Sequence, residues 1–225
     1  MKVLEQIKGG LIVSCQGLEN EPMHSSFIMG RFALAAKQGG AVGIRANTAV
    51  DIAEIKKNVD LPVIGIVKRD YEDSEIYITP TMKEIEELLS VGVEIIALDA
   101  TMRRRPNGLE LADMVAQIRK IYNGLLMADI SSFDEAQNAE RLGFDLIGTT
   151  LRGYTPHTQG IKIPDFEFIE RLAKELHTPI IAEGGIDEPW QLKEVLQRGA
   201  HASVIGGAIT RPQNITKRFV SAIEK

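Results

Sequence analysis

Cysteine is almost absent from this 225-residue chain: Cys15 stands alone, so no disulfide can form within the molecule and a reducing compartment is expected. Aromatics are scarce at 5% of residues, too few for the stacking platforms that bind single-stranded nucleic acid. Charge of one sign is not concentrated either. The net charge is −5, and no run of Lys and Arg is long enough to make a stripe. Nucleic acid and anionic membrane surfaces are therefore poor partners, and an anionic substrate must be held by a few placed cations. No apolar run approaches membrane-spanning length, and the opening Met1-Lys2-Val3-Leu4-Glu5-Gln6-Ile7-Lys8 lacks the apolar stretch of a secretion signal. A soluble cytoplasmic protein is the expectation.

What is present is repetition. Short β-branched apolar runs recur at Gly10–Ser14, Ala41–Ile44, Pro62–Val67, Glu94–Leu98, Leu125–Ala128, Leu146–Gly148, Pro179–Ala182 and Ala202–Ile205. Each is continuously apolar rather than alternating, as in strands of a parallel sheet covered on both faces. Amphipathic segments lie between them. Thr81-Met82-Lys83-Glu84 and Ser132-Phe133-Asp134-Glu135 fit the capping box, and Asp187-Glu188-Pro189 opens another helix. Gly39-Gly40, Gly92, Gly143 and Gly199 each stand between a helix and the next strand, where glycine suits a left-handed cap. Repeated βα units of similar size predict an α/β fold, a (β/α)8 TIM barrel, with a doubly wound open sheet as the alternative. No linker or low-complexity tract interrupts the chain, so residues 1–225 read as a single domain.

The first strongly polar groups after the runs are Gln16, Arg45, Lys68, Asp99, Asp129, Thr149, Glu183 and the Gly206-Gly207 pair. In a barrel these form a ring around one mouth, where active sites are built. Any one of them could be a strand running out into solvent. The set is harder to explain that way, because charges next to fully buried residues need partners. Glu183-Gly184-Gly185-Ile186 and Ile205-Gly206-Gly207-Ala208 then supply glycine turns at the seventh and eighth loops. Backbone amides there can approach a phosphate, with a short helix starting near Ala208 and Arg211 in reach.

Lys68 directly follows Gly65-Ile66-Val67 and is predicted to enter the mouth. A lysine at a buried strand end can have a lowered pKa and act as a base or imine-forming nucleophile. Glu183 offers a carboxylate across the same mouth, so the two could divide acid and base roles or merely form an ion pair. The four histidines show no metal-ligand spacing, and His177 and His201 precede strands at the opposite end. Asp99 and Asp129 are equally readable as hydrogen-bonding or structural carboxylates. Arg103-Arg104-Arg105 is expected to be a solvated loop, and Cys15 a small core residue.

Several phrases also resemble those of the N-acetylmannosamine-6-phosphate 2-epimerase family over essentially the whole chain. They are Gly10-Leu11-Ile12-Val13-Ser14-Cys15-Gln16, Gly43-Ile44-Arg45-Ala46-Asn47, and Leu61-Pro62-Val63-Ile64-Gly65-Ile66-Val67-Lys68-Arg69-Asp70-Tyr71. Ala97-Leu98-Asp99-Ala100-Thr101, Met127-Ala128-Asp129-Ile130, Gly148-Thr149-Thr150-Leu151, Gly153-Tyr154-Thr155 and Ala208-Ile209-Thr210-Arg211-Pro212 complete the set. Ala182-Glu183-Gly184-Gly185-Ile186 is shared more widely among phosphate-binding barrels. The resemblance implies a catalytic pair at Lys68 and Glu183, substrate contacts at Gln16, Arg45, Asp129 and Arg211, and a homodimer without metal or cofactor. It also implies interconversion of N-acetylmannosamine 6-phosphate and N-acetylglucosamine 6-phosphate in sialic acid breakdown. Two other functions suit the same residues: an imine-forming aldolase on Lys68, and a non-catalytic sugar-phosphate sensor. The sensor has no need of both Lys68 and Glu183.

Overall fold

Val13 is level with Ile44 on one side and Ile205 on the other, so the first strand is hydrogen-bonded to both the second and the last. That double pairing closes the sheet, and the open doubly wound alternative does not apply. The computed structural model describes residues 2–223. Its barrel strands are β1 (Leu11–Cys15), β2 (Gly43–Asn47), β3 (Val63–Ile66), β4 (Ile95–Asp99), β5 (Leu125–Asp129), β6 (Leu146–Gly148), β7 (Ile180–Glu183) and β8 (Ala202–Ile205), all parallel and in sequence order. Helices α1 (Lys2–Ile7), α2 (Ser26–Gln38), α3 (Ala49–Asn58), α4 (Met82–Val91) and α5 (Leu111–Ile121) occupy the first part of the chain. The second part adds α6 (Phe133–Arg141), α7 (Phe166–Glu175), α8 (Pro189–Gln197), α9 (Gly207–Thr210) and α10 (Pro212–Ser221).

The apolar runs split into two cores by the two-residue period of a strand. Ile12, Ile64, Ile66, Ile95, Ala97, Met127, Leu146, Ile181, Ala202 and Val204 fill the barrel interior. Their neighbours Val13, Ile44, Ile96, Leu98, Leu126, Ala128, Ile147 and Ile180 face the helix layer. Helix α1 closes the N-terminal end, with Ile7 buried in the interior cluster and Val3 and Leu4 packed against it. No helix among the described residues is long and apolar enough to cross a membrane.

Helix starts follow the expected chemistry. Both capping boxes form, Thr81 with Glu84 and Ser132 with Glu135, and Pro189 takes the first position of α8. Gly92 ends α4 in the left-handed region at φ 65°. The expectation of a solvated Arg103–Arg105 loop is overturned. Arg104 alone is exposed; Arg105 is 2% exposed and donates to the Pro80 carbonyl at 3.2 Å. Arg103 donates to Asp99 Oδ2 at 2.6 Å. The buried Asp99 carboxylate needs that cation, and it also accepts from the Thr101 amide and hydroxyl, so Asp99 is a structural carboxylate.

Candidate active site

Extending the interior register past the last apolar residue of each strand identifies the polar side chains that point into the barrel at or just beneath its mouth. After Ile12 come Ser14 and Gln16, after Ile66 comes Lys68, after Met127 comes Asp129, and after Ile181 comes Glu183. On β6 the same count passes through Leu146 and Gly148 to Thr150, one residue beyond the expected Thr149. Thr149 instead clamps β6 to β7: its hydroxyl donates to the Glu183 carbonyl at 2.9 Å and accepts from the Glu183 amide at 3.0 Å.

Beneath the mouth lies a buried charge cluster. Arg45, 1% exposed, grips both oxygens of Asp129, with Nη2 to Oδ2 at 2.6 Å and Nη1 to Oδ1 at 3.0 Å. Its Nη1 also donates to Glu183 Oε2 at 2.9 Å. The Thr150 hydroxyl sits between the two acids, 2.6 Å from Asp129 Oδ1 and 3.1 Å from Glu183 Oε2. Glycine at position 148 leaves room for this arrangement; a Cβ there would come within 2.2 Å of Met127 Cε and 3.2 Å of Asp129 Oδ1.

Above the cluster is a cavity of about 430 Å³. Gln16, Lys68 and Glu183 line it together with Gly184, Gly185, Gly206, Gly207 and Arg211. Of the residues expected as a catalytic pair, substrate contacts or phosphate turns, only Arg45 and Asp129 are off its wall; they lie under the floor and touch Glu183 directly or through Thr150. Burial pushes Glu183 up to about 7 against the pull of Arg45, with the Asp129 charge adding to the rise. Burial and the Arg45 cation bring Lys68 down to about 8 against the pull of Glu183. The Lys68 backbone amide is pinned by Asn47 Oδ1 at 2.8 Å, which fixes where the side chain departs. Gln16 donates to Ser14 Oγ at 2.8 Å and leaves its buried Oε1 without a partner.

The two glycine turns stand side by side at the rim. Gly184 and Gly185 have φ of 111° and 68°, in the region that favours glycine. A Cβ at Gly185 would also meet the Ile163 carbonyl carbon at 2.7 Å. At the other turn, a Cβ on Gly207 would lie 3.6 Å from Asn214 Nδ2 and 3.9 Å from Arg211 Nη1, so two side-chain donors converge on that point.

Sequence reasoning did not find Tyr77, Thr150, Tyr154 or Asn214, all of which line the cavity. Counting by twos along β6 finds Thr150. Tyr77 enters because the chain after Lys68 folds back, pairing Lys68 with Ile78 in an antiparallel bridge, and nothing local announces that return. The remaining candidates lie elsewhere. Cys15 is fully buried in the strand–helix layer, its thiol pushed up to about 12 by burial. His201 bonds the Leu4 carbonyl at 2.9 Å beside α1, at the far end of the barrel.

A family model described as "Putative N-acetylmannosamine-6-phosphate epimerase" matches residues 29–225. A relative from Clostridioides difficile, named "Putative N-acetylmannosamine-6-phosphate 2-epimerase", is 59% identical over 99% of both chains. One of the same name from Enterobacter sp. is 60% identical over 99% of this chain and 96% of its own. The solved structure of the N-acetylmannosamine-6-phosphate 2-epimerase from Clostridium perfringens matches with a TM-score of 0.95 and 56% identity, covering 98% of this chain and 96% of that one. A thiamine phosphate pyrophosphorylase from Pyrococcus furiosus, at TM-score 0.61 and 16% identity over 98% of this chain and all of its own, shares the barrel fold alone. The chain belongs to the N-acetylmannosamine-6-phosphate epimerase family.

Proposed function

We propose that the protein interconverts N-acetylmannosamine 6-phosphate and N-acetylglucosamine 6-phosphate by moving one proton off C2 and back onto the opposite face. One observation carries the reading. An amine from the end of β3 and a carboxylate from the end of β7 line one cavity, at about 8 and about 7, each displaced toward neutrality. General acids and bases work best with such values.

In the open-chain sugar the C1 aldehyde acidifies the C2 hydrogen. Removing that proton leaves an enolate, and returning one to the other face inverts the centre. Neutral Lys68 takes the proton on one side while protonated Glu183 supplies one on the other; the reverse reaction exchanges their roles. Only a proton moves, so the step as written calls for no cofactor or metal. Gln16 Oε1 offers an unused acceptor to a sugar hydroxyl or amide. Arg45 and Asp129 serve from below, setting the charge around Glu183. The phosphate is assigned to the Gly184-Gly185 and Gly206-Gly207 turns with Arg211 and Asn214. Its binding orients the reacting end without taking part in the chemistry.

The reading takes residues 1–225 as one barrel domain acting in the cytoplasm, in breakdown of sialic acid, and as a homodimer. The dimer is supported by α10, which buries no residue and leaves Phe219 76% exposed, with Ile223 just beyond it 82% exposed. Sedimentation velocity tests that part.

The test of the activity is proton NMR of N-acetylmannosamine 6-phosphate with the protein in heavy water. The expected result is the appearance of N-acetylglucosamine 6-phosphate with loss of the C2 hydrogen signal. Epimer formation without solvent exchange would rule out the enolate route. Lys68→Ala should stop both while leaving phosphate binding measurable. Borohydride trapping of a sugar on Lys68 would favour the aldolase-type imine instead.

A further inference from the structure

Arg211 is not free in the rim of the cavity. Its Nε donates to Glu21 Oε1 and its Nη2 to Glu21 Oε2 at 3.2 Å, the side-on fork of a bidentate pair. Glu21 belongs to the loop between β1 and α2, and Arg211 stands between α9 and α10. The pair therefore ties the first βα loop to the last. Glu21 is itself fixed: its Oε2 accepts the Leu18 amide at 2.8 Å, and Gln213 Nε2 lies 3.4 Å from its Oε1. The pair is largely shielded, at 26% and 16% side-chain exposure. The Glu21 carboxyl is held below its usual range, first by the Arg211 hydrogen bond.

With Nε and Nη2 occupied on one edge, the guanidinium keeps Nη1 for something else. That nitrogen is the one lying 3.9 Å from the Cβ position of Gly207. We infer that Glu21 is a positioning residue for substrate phosphate, turning the free edge of Arg211 toward the Gly206-Gly207 turn. The inference rests on the reading of Arg211 as a phosphate ligand.

Two effects of Glu21 oppose each other, and their balance makes the idea testable. A carboxylate beside the cation weakens its long-range pull on a phosphate dianion. The same carboxylate holds a flexible side chain in one orientation before the ligand arrives, which removes an ordering cost from binding. Glu21 is pinned by contacts that do not involve the ligand, so orientation outweighs charge.

The experiment measures inorganic phosphate affinity by calorimetry and, separately, KM and kcat for N-acetylmannosamine 6-phosphate. Glu21→Ala should weaken phosphate binding and raise KM about tenfold, with kcat within about twofold of the unaltered protein. Glu21→Gln keeps one acceptor oxygen and should recover part of the loss. In an Arg211→Ala background the Glu21→Ala change should add nothing, since Glu21 acts through Arg211. Equal or tighter phosphate binding by Glu21→Ala overturns the inference and makes Glu21 a competitor for the cation. A fall in kcat and melting temperature matching the rise in KM also overturns it, because that is the mark of a loop anchor. Should the unaltered protein bind phosphate yet not turn over the sugar phosphate, the proposed activity fails while the calorimetric comparison still judges Glu21. No phosphate binding at all by the unaltered protein removes the premise and the inference with it.

Discussion

Arg45 reaches Glu183 from beneath, Nη1 to Oε2 at 2.9 Å, while the same guanidinium is committed to both oxygens of Asp129. One cation thus faces two carboxylates, and burial, with the Asp129 charge adding to it, lets Glu183 keep its proton to about 7 against the pull of Arg45. Burial lowers Lys68, and the same cation adds to that fall, whereas on Glu183 it only limits the rise. A single arrangement brings an acid and an amine to neighbouring strengths.

The pH dependence of kcat/KM follows. Below about 7 both groups hold protons, and above about 8 both have lost them. The pair carries the single proton that the reaction shuttles only between those limits. A bell-shaped profile with its maximum between the two values is expected. A gap of one pKa unit also keeps the two placements of that proton within about tenfold of each other, so neither direction of epimerisation is starved. Steady-state rates from pH 5.5 to 9.5 check this; a plateau extending well above pH 9 would remove neutralised Glu183 from the mechanism.

Glu183→Gln should separate activity from stability. Activity should fall about 10²–10⁴-fold, the usual worth of a positioned acid–base group. Stability should move the other way. The folded protein binds the Glu183 proton more tightly than the unfolded chain, so its contribution is full below the ordinary value of 4.5 and lost as pH rises through about 7. Removing the charge should therefore raise the melting temperature at pH 8 by a few degrees, on a scale of about 2–4 °C per kcal/mol. Lys68 acts with the opposite slope: its penalty to the fold is full below about 8 and fades as pH rises to 10.5.

Asp129→Ala should be costly for the fold, because it takes both carboxylate oxygens of Asp129 from a guanidinium that is 1% exposed and leaves it the Glu183 carboxylate alone. Breaking a buried pair from one side costs about 3–5 kcal/mol, readable by denaturant titration. In whatever protein remains folded, the acidic limb of the rate profile should move to lower pH, since Arg45 is then given wholly to Glu183.

Gly185→Ala should weaken the protein by about 1–3 kcal/mol, the range for forced overpacking, and disturb the turn proposed to hold phosphate. The position has a φ of 68°, and a Cβ would press on the Ile163 backbone at 2.7 Å. Gly92→Ala, where nothing lies within 4 Å, is the control for left-handed strain alone.

The barrel was legible because burial on both faces leaves uninterrupted Val, Ile and Ala runs, and because Glu84 and Glu135 sit three residues after their hydroxyl partners. Lys68 and Glu183 were legible because each is the first charge after such a run. Thr150 was missed in favour of Thr149 because polarity was counted where strand parity decides. Arg105 was misread because adjacent side chains diverge, and one of three arginines can turn inward while its neighbour stays wet. Glu21 and Arg211 are too far apart in sequence for any local pattern to join them, and Asn214 follows a proline on a helix that sequence gives no reason to aim at the mouth.

The bonding of β1 to β8 has a consequence for synthesis. β1 is made first, yet one of its edges waits for the strand made last, and the turn at Gly206-Gly207 is completed only after that strand emerges. Until then the nascent chain exposes an unpaired edge of Leu11, Ile12 and Val13, a surface prone to wrong partners. With Lys68 already translated, the chain still lacks the turn proposed to hold phosphate until the eighth barrel strand has emerged.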